Sequence, residues 1–117
     1  MLIAAALIEL ALAEAESLKA RRRVANAVKD RLRGRFNLSV AELSDPDDRH
    51  SICIGCVMVG VRPDHLRTQL EKVVRYVEAL GLAELVGDDI VVVRLDEVEE
   101  IESDLGAVRF TLGRRLE

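Results

Sequence analysis

The sequence has no tryptophan, and Phe36, Tyr76 and Phe110 are its only aromatic residues. Its core must therefore be aliphatic, built from Ala, Val, Leu and Ile. The shortage also argues against a sugar site, or an RNA reader that stacks bases on sheet aromatics. Cysteine is scarce too: Cys53 and Cys56 form a lone C-x2-C, with no second pair to complete a zinc site. In a strand, residues three apart point to opposite faces, so this pair reads as core thiols and not a chelate. There is no glycine-rich phosphate loop, since Gly55 and Gly60 fall inside an apolar, strand-like run. Nor is there a long unbroken apolar run. The opening MLIAAALIELALAEA imitates an export signal, but it lacks a cationic start and Glu9 interrupts it. It is too short and broken to span a bilayer. These absences lead to the expectation of a cytoplasmic protein with free thiols and no membrane partner.

What is present is globular. The chain has 117 residues, 50% hydrophobic and 32% charged, which suits one domain with its own core. The net charge of −4 conceals an asymmetry, because residues 1–40 carry +4 and residues 41–117 carry −8. The basic part suits an anionic partner, and the acidic part suits pairing with it in an oligomer.

Residues 2–12 form an apolar run that reads as a first strand. Ser17 is placed as the N-cap of a helix over residues 18–33, with Glu14 and Glu16 near its positive end and Gly34 as its stop. Ala20, Val24, Ala27, Val28 and Leu32 recur at helical spacing and form the expected core stripe. Residues 36–43 read as a second strand, 44–50 as a polar loop and 51–61 as a third strand. Pro63 opens a second helix striped by Leu66, Leu70, Val73, Val74, Val77 and Leu80, and Gly81 ends it. Residues 89–95 read as a fourth strand.

The order β-α-β-β-α-β predicts an α+β, ferredoxin-like split βαβ sandwich. Its antiparallel four-stranded sheet carries both helices on one face. Residues 1–98 make up this domain, and residues 99–117 extend it as an acidic tail, with a short extra strand at 107–112 after Gly106. The pattern leaves the other sheet face apolar as well, lined by Ile3, Ala5 and Leu7 on the first strand and Val57 and Val59 on the third. A patch of that kind marks an interface, so a homodimer or higher homo-oligomer is expected.

Lys19, Arg22, Arg23, Asn26, Lys29 and Arg33 recur every three or four residues, opposite the core stripe, and Arg35 extends the row. Arginine forks and lysine point charges suit phosphate oxygens, which makes the cations of this row the candidate nucleic-acid contacts. A solvated helix face, or pairing with a neighbour's acidic tail, accounts for the same residues without RNA. Asp45, Asp47 and Asp48 lack the glycine and terminal glutamate of a calcium loop and read as a solvated turn. His50 and His65 have no nucleophile or oxyanion site in view. No enzyme, metal or cofactor is expected.

The stretch 17–42, SLKARRRVANAVKDRLRGRFNLSVAE, carries one further signal. Ser17, Leu18 and Lys19, then Arg22, Arg23 and Val24, then Lys29, Arg31, Leu32 and Arg33 follow a recognisable order. Arg35 and Phe36, then Ser39, Val40, Ala41 and Glu42 complete it. This stretch resembles the signature of the YlxP-like bacterial family of unknown function, with weaker similarity over residues 1–98. The resemblance implies a ferredoxin-like fold. It also implies a role near translation or small-subunit maturation, with ribosomal RNA or the small ribosomal subunit as partner. The loop 44–50 departs from the family by being short and lacking an aromatic, and the tail after residue 98 lies outside the common domain. The expected function is thus a non-enzymatic ribosome- or RNA-associated accessory protein. The alternatives are a structural or regulatory homo-oligomer, or a small-molecule-sensing dimer, with no nucleic-acid contact.

Overall fold

The computed structural model describes residues 1–12, 17–102 and 108–112, with side chains described through residue 96. Strand β1 (Leu2–Ala11) runs centrally between β3 (Ser51–Gly60) and β4 (Glu84–Arg94), antiparallel to both, and β2 (Ser39–Glu42) pairs antiparallel with β3. The sheet order is β2-β3-β1-β4. Helices α1 (Leu18–Arg35) and α2 (Pro63–Leu80) make the two crossovers, giving the split βαβ sandwich that the element order predicts. Among the described residues, no helix is long and apolar enough to cross a membrane.

Alternation along the strands sorts side chains between the faces. Leu2, Ala4, Ala6, Ile8 and Leu10 of β1 are buried in the helix-side core, beside Ile52, Ile54, Cys56 and Met58 of β3. α2 contributes Leu66, Leu70, Val73, Val74 and Val77 of the stripe its spacing predicts, while Leu80 at its end is half buried. Its last turn closes at Gly81, whose φ of 66° is left-handed and favours glycine. Ser17 caps α1 as expected, its Oγ accepting from the Ala20 N–H at 3.0 Å. Glu14, Glu16 and Gly106 lie outside the described residues.

Several boundaries differ from the sequence reading. α1 continues through Gly34 to Arg35 and stops at Phe36, whose extended backbone (φ −125°, ψ 151°) ends the helical run. Gly34 is therefore a helical residue and not the stop. The core row of α1 is Arg21, Ala25, Val28 and Leu32, with Ala20, Val24 and Ala27 only half buried. The helix is rotated relative to the expected stripe because Arg21 takes an interior position. β2 begins at Ser39 and not at Phe36. β4 begins at Glu84, five residues before the expected start at Asp89. Its early part is masked in the sequence by Gly87, Asp88 and a register shift opposite Glu9 and Leu10.

After β4, a short 3-10 turn (Leu95–Glu97) leads into β5 (Val98–Glu102), paired antiparallel with β6 (Val108–Leu112). β6 falls on the extra strand expected at 107–112. The acidic character of residues 97–102 hides β5, which has no counterpart among the expected strands.

Candidate nucleic-acid interface

Burying Arg21, Ala25, Val28 and Leu32 turns the opposite side of α1 to solvent. Lys19, Arg22, Arg23, Asn26 and Arg33 are exposed there, and Lys29 is half buried at the border. Arg33 leans toward the edge strand, its Nη2 donating to the Val40 carbonyl at 3.4 Å and its Nη1 lying 3.4 Å from Asp30 Oδ1. Both partners of that ion pair are mostly exposed, so it contributes little to stability. Among the described residues, no carboxylate comes within ion-pairing distance of Lys19, Arg22, Arg23 or Lys29. The structure thus brings five of the six predicted cations onto one surface.

Arg35 is the exception. It does not extend the row, because the last turn of α1 carries it round to α2, where its guanidinium carbon sits 4.9 Å from the Tyr76 ring centroid. Phe36 meets the same ring edge-on, with centroids 5.6 Å apart and planes at 75°. Lys72 and Arg75 of α2 line the same surface hollow, which has a volume of about 310 Å³. These two cations were not among the expected contacts, because only the packing of α1 on α2 brings them to Arg35.

Arg21 is missing from the predicted row for a different reason. It is 2% exposed, and its Nη2 lies 2.7 Å from Glu42 Oε2, 3.1 Å from Ser44 Oγ and 3.0 Å from the Asp45 and Ser51 carbonyls. The middle member of this cluster, Ser44, also donates to Glu42 Oε2 and accepts from the Cys53 N–H, each at 2.9 Å. Burial raises the Glu42 pKa, but the hydrogen bonds from Arg21 and Ser44 and the Arg21 charge outweigh it, leaving the carboxyl below its ordinary value. Arg21 is a structural clasp that ties α1 to the loop between β2 and β3. In that loop, Asp45 Oδ1 accepts from the Asp47 N–H, while Asp48 accepts from the His50 N–H and the Ser51 hydroxyl. These carboxylates fold the turn. Among the described residues, no cluster of three His, Cys, Asp or Glu side chains is placed to hold a metal.

The sheet face away from the helices carries Ile3, Ala5, Leu7, Val57 and Val59, as alternation predicts, and Ala41, Leu43 and Val91 join them. Leu7, Leu43, Val57 and Val59 are 37%, 60%, 42% and 63% exposed. Small residues at the centre leave an apolar hollow of about 330 Å³. Gly55 matters at its floor: a Cβ there would come 2.8 Å from Leu43 Cδ1, so the glycine lets Leu43 lie flat on the sheet. Cys53 shares this face, and Cys56 points into the core. Burial raises both thiol pKa values, with Glu9 adding to the effect at Cys53 and Cys56 pushed up to about 11.

Fold and surfaces together define a small ferredoxin-like α+β domain with one cationic helix face and one bare apolar sheet face. A family model described as Protein of unknown function (DUF503) matches residues 3–89, and the chain belongs to that family. No curated protein matches the chain.

Proposed function

We propose that this protein is a non-enzymatic accessory protein that contacts RNA through the outer face of α1. The observation that carries the reading is the row of Lys19, Arg22 and Arg23, which no described carboxylate pairs, with Lys29 beside them at the border where it feels the Glu42 charge. Such a row spaces its charges along a helix and suits successive phosphates. The similarity of residues 17–42 to the YlxP-like family favours ribosomal RNA in the cytoplasm as the partner, with the small ribosomal subunit as its source. The test is co-sedimentation with small subunits at about 50 and 300 mM salt, a range over which phosphate contacts weaken steeply. Wild type should co-sediment at low salt only. The Lys19→Glu/Arg22→Glu/Arg23→Glu variant should stay in the supernatant with its fold and oligomer mass unchanged. No sedimentation of wild type, or equal sedimentation of the variant, overturns the reading.

A second reading, a structural or regulatory homo-oligomer, is favoured by the exposed Leu7, Leu43, Val57 and Val59 around the apolar hollow. Here a second copy covers the sheet face. Val57→Lys should then reduce the oligomer mass in sedimentation velocity while the far-UV circular dichroism stays that of the folded chain. An unchanged mass, or a monomeric wild type, rejects it.

A further inference from the structure

The hollow between the end of α1 and α2 differs from the α1 row in having rings as well as charges. Arg35, Phe36, Lys72, Arg75 and Tyr76 line it, so two of the chain's three aromatics gather with three cations. None of the lining residues is acidic, and Lys72 and Arg75 have no ion-pair partner among the described residues. Three cations with no acid lining this hollow favour an anion, and Arg75 stands at its border with an adjoining hollow lined by Glu71, Asp88 and Asp89. The rings narrow the choice. Phe36 braces Tyr76 edge-on, and Tyr76 in turn carries the Arg35 guanidinium on its face. A flat cation held on a ring is a surface on which a nucleobase stacks, while inorganic phosphate uses only the charges.

We propose that this hollow binds a nucleoside phosphate, with the base against the Arg35–Tyr76 stack and the phosphate on Lys72 and Arg75. The site rests on the RNA reading for one of its two sources, a nucleotide of a strand held by the α1 row. The other source is a free nucleotide.

Tyr76 is the only tyrosine, so the ring resonances of protein labelled with 13C-tyrosine report this site alone. The probes are AMP, inorganic phosphate and a short oligoadenylate carrying a fluorophore, whose anisotropy reads total RNA binding. The expected result is a saturable Tyr76 shift with the oligomer or AMP, and none with inorganic phosphate. Oligoadenylate affinity should drop roughly tenfold in Lys72→Glu/Arg75→Glu, and the two phosphate contacts of that pair should account for about a sevenfold loss between 50 and 200 mM salt. Tyr76→Leu and Arg35→Ala, checked for unchanged melting, should weaken the AMP complex by about fivefold through lost stacking. An oligomer that raises the anisotropy, while neither it nor AMP moves Tyr76, overturns the site and leaves the RNA reading intact. A Tyr76 shift with AMP, but no oligomer binding, upholds the site and removes the RNA reading. A Tyr76 ring that none of the probes moves overturns the site.

Discussion

Three arginines in a row, residues 21–23, have opposite fates, and the difference is set by what each faces. Arg22 and Arg23 reach solvent, while Arg21 is buried against Glu42 and the carbonyls of the next loop. Removing one partner of a buried pair strands the other, so Arg21→Met should cost about 3 kcal/mol in urea unfolding. Arg21→Met/Glu42→Leu, which leaves no stranded charge, should recover part of that loss. The pair also predicts a pH dependence. The Glu42 pKa is lowered on folding, so its contribution is full above the ordinary carboxyl value of 4.5 and is lost as pH falls through the lower folded value. Wild type should therefore lose stability on acidification more steeply than the double variant, and parallel curves would remove Glu42 from the account. Two glycines make a matched comparison. Gly34 is helical with open space at its Cβ, so Gly34→Ala should stabilise by about 0.5–1 kcal/mol. Gly81 sits at φ 66°, so Gly81→Ala should destabilise by about 1 kcal/mol despite equal space. Thermal melts of the two variants should shift in opposite directions.

β3 shows how an element shares its residues between two surfaces. Cys53 lies half exposed on the bare face, and Cys56 is buried in the core with its thiol pushed up to about 11. Iodoacetamide followed by fragment mass analysis should modify Cys53 faster, by a factor on the order of ten. The reverse order would mean that β3 is paired one residue out of register. The two-sided apolar character of β1 and β3 was legible because period-two alternation carries it directly. The stripe of α2 was equally legible, since Leu66, Leu70, Val73 and Val77 have no polar competitor. The rotation of α1 is hidden because an arginine fills a core position, although the spacing of Ala25, Val28 and Leu32 leads back to residue 21. The start of β4 was hidden by Gly87 and Asp88, where the paired strands shift register. The Arg35, Lys72 and Arg75 grouping had no signal in the sequence at all. It depends on where one helix ends against another, and periodicity within either helix says nothing about that.

For the whole molecule, the two surfaces are distinguished by their response to salt. Phosphate contacts from the α1 row release counterions, so they weaken as ionic strength rises. Burial of Leu7, Val57 and Val59 between copies is an apolar contact and is insensitive to screening. The charge asymmetry offers a third arrangement, in which the basic row of one copy meets acidic residues of another, and that contact is also salt-sensitive. Self-association measured by sedimentation velocity between about 50 and 500 mM salt, a span that shortens the Debye length roughly threefold, separates these cases. If the sheet face is the contact, the oligomer persists across the range and only Val57→Lys dissociates it. In that case Arg22→Glu leaves the mass unchanged. If the oligomer instead dissolves at high salt and Arg22→Glu breaks it, the α1 row is occupied by another subunit. Its cations are then neutralised by protein, and the RNA reading loses the unpaired charge on which it stands.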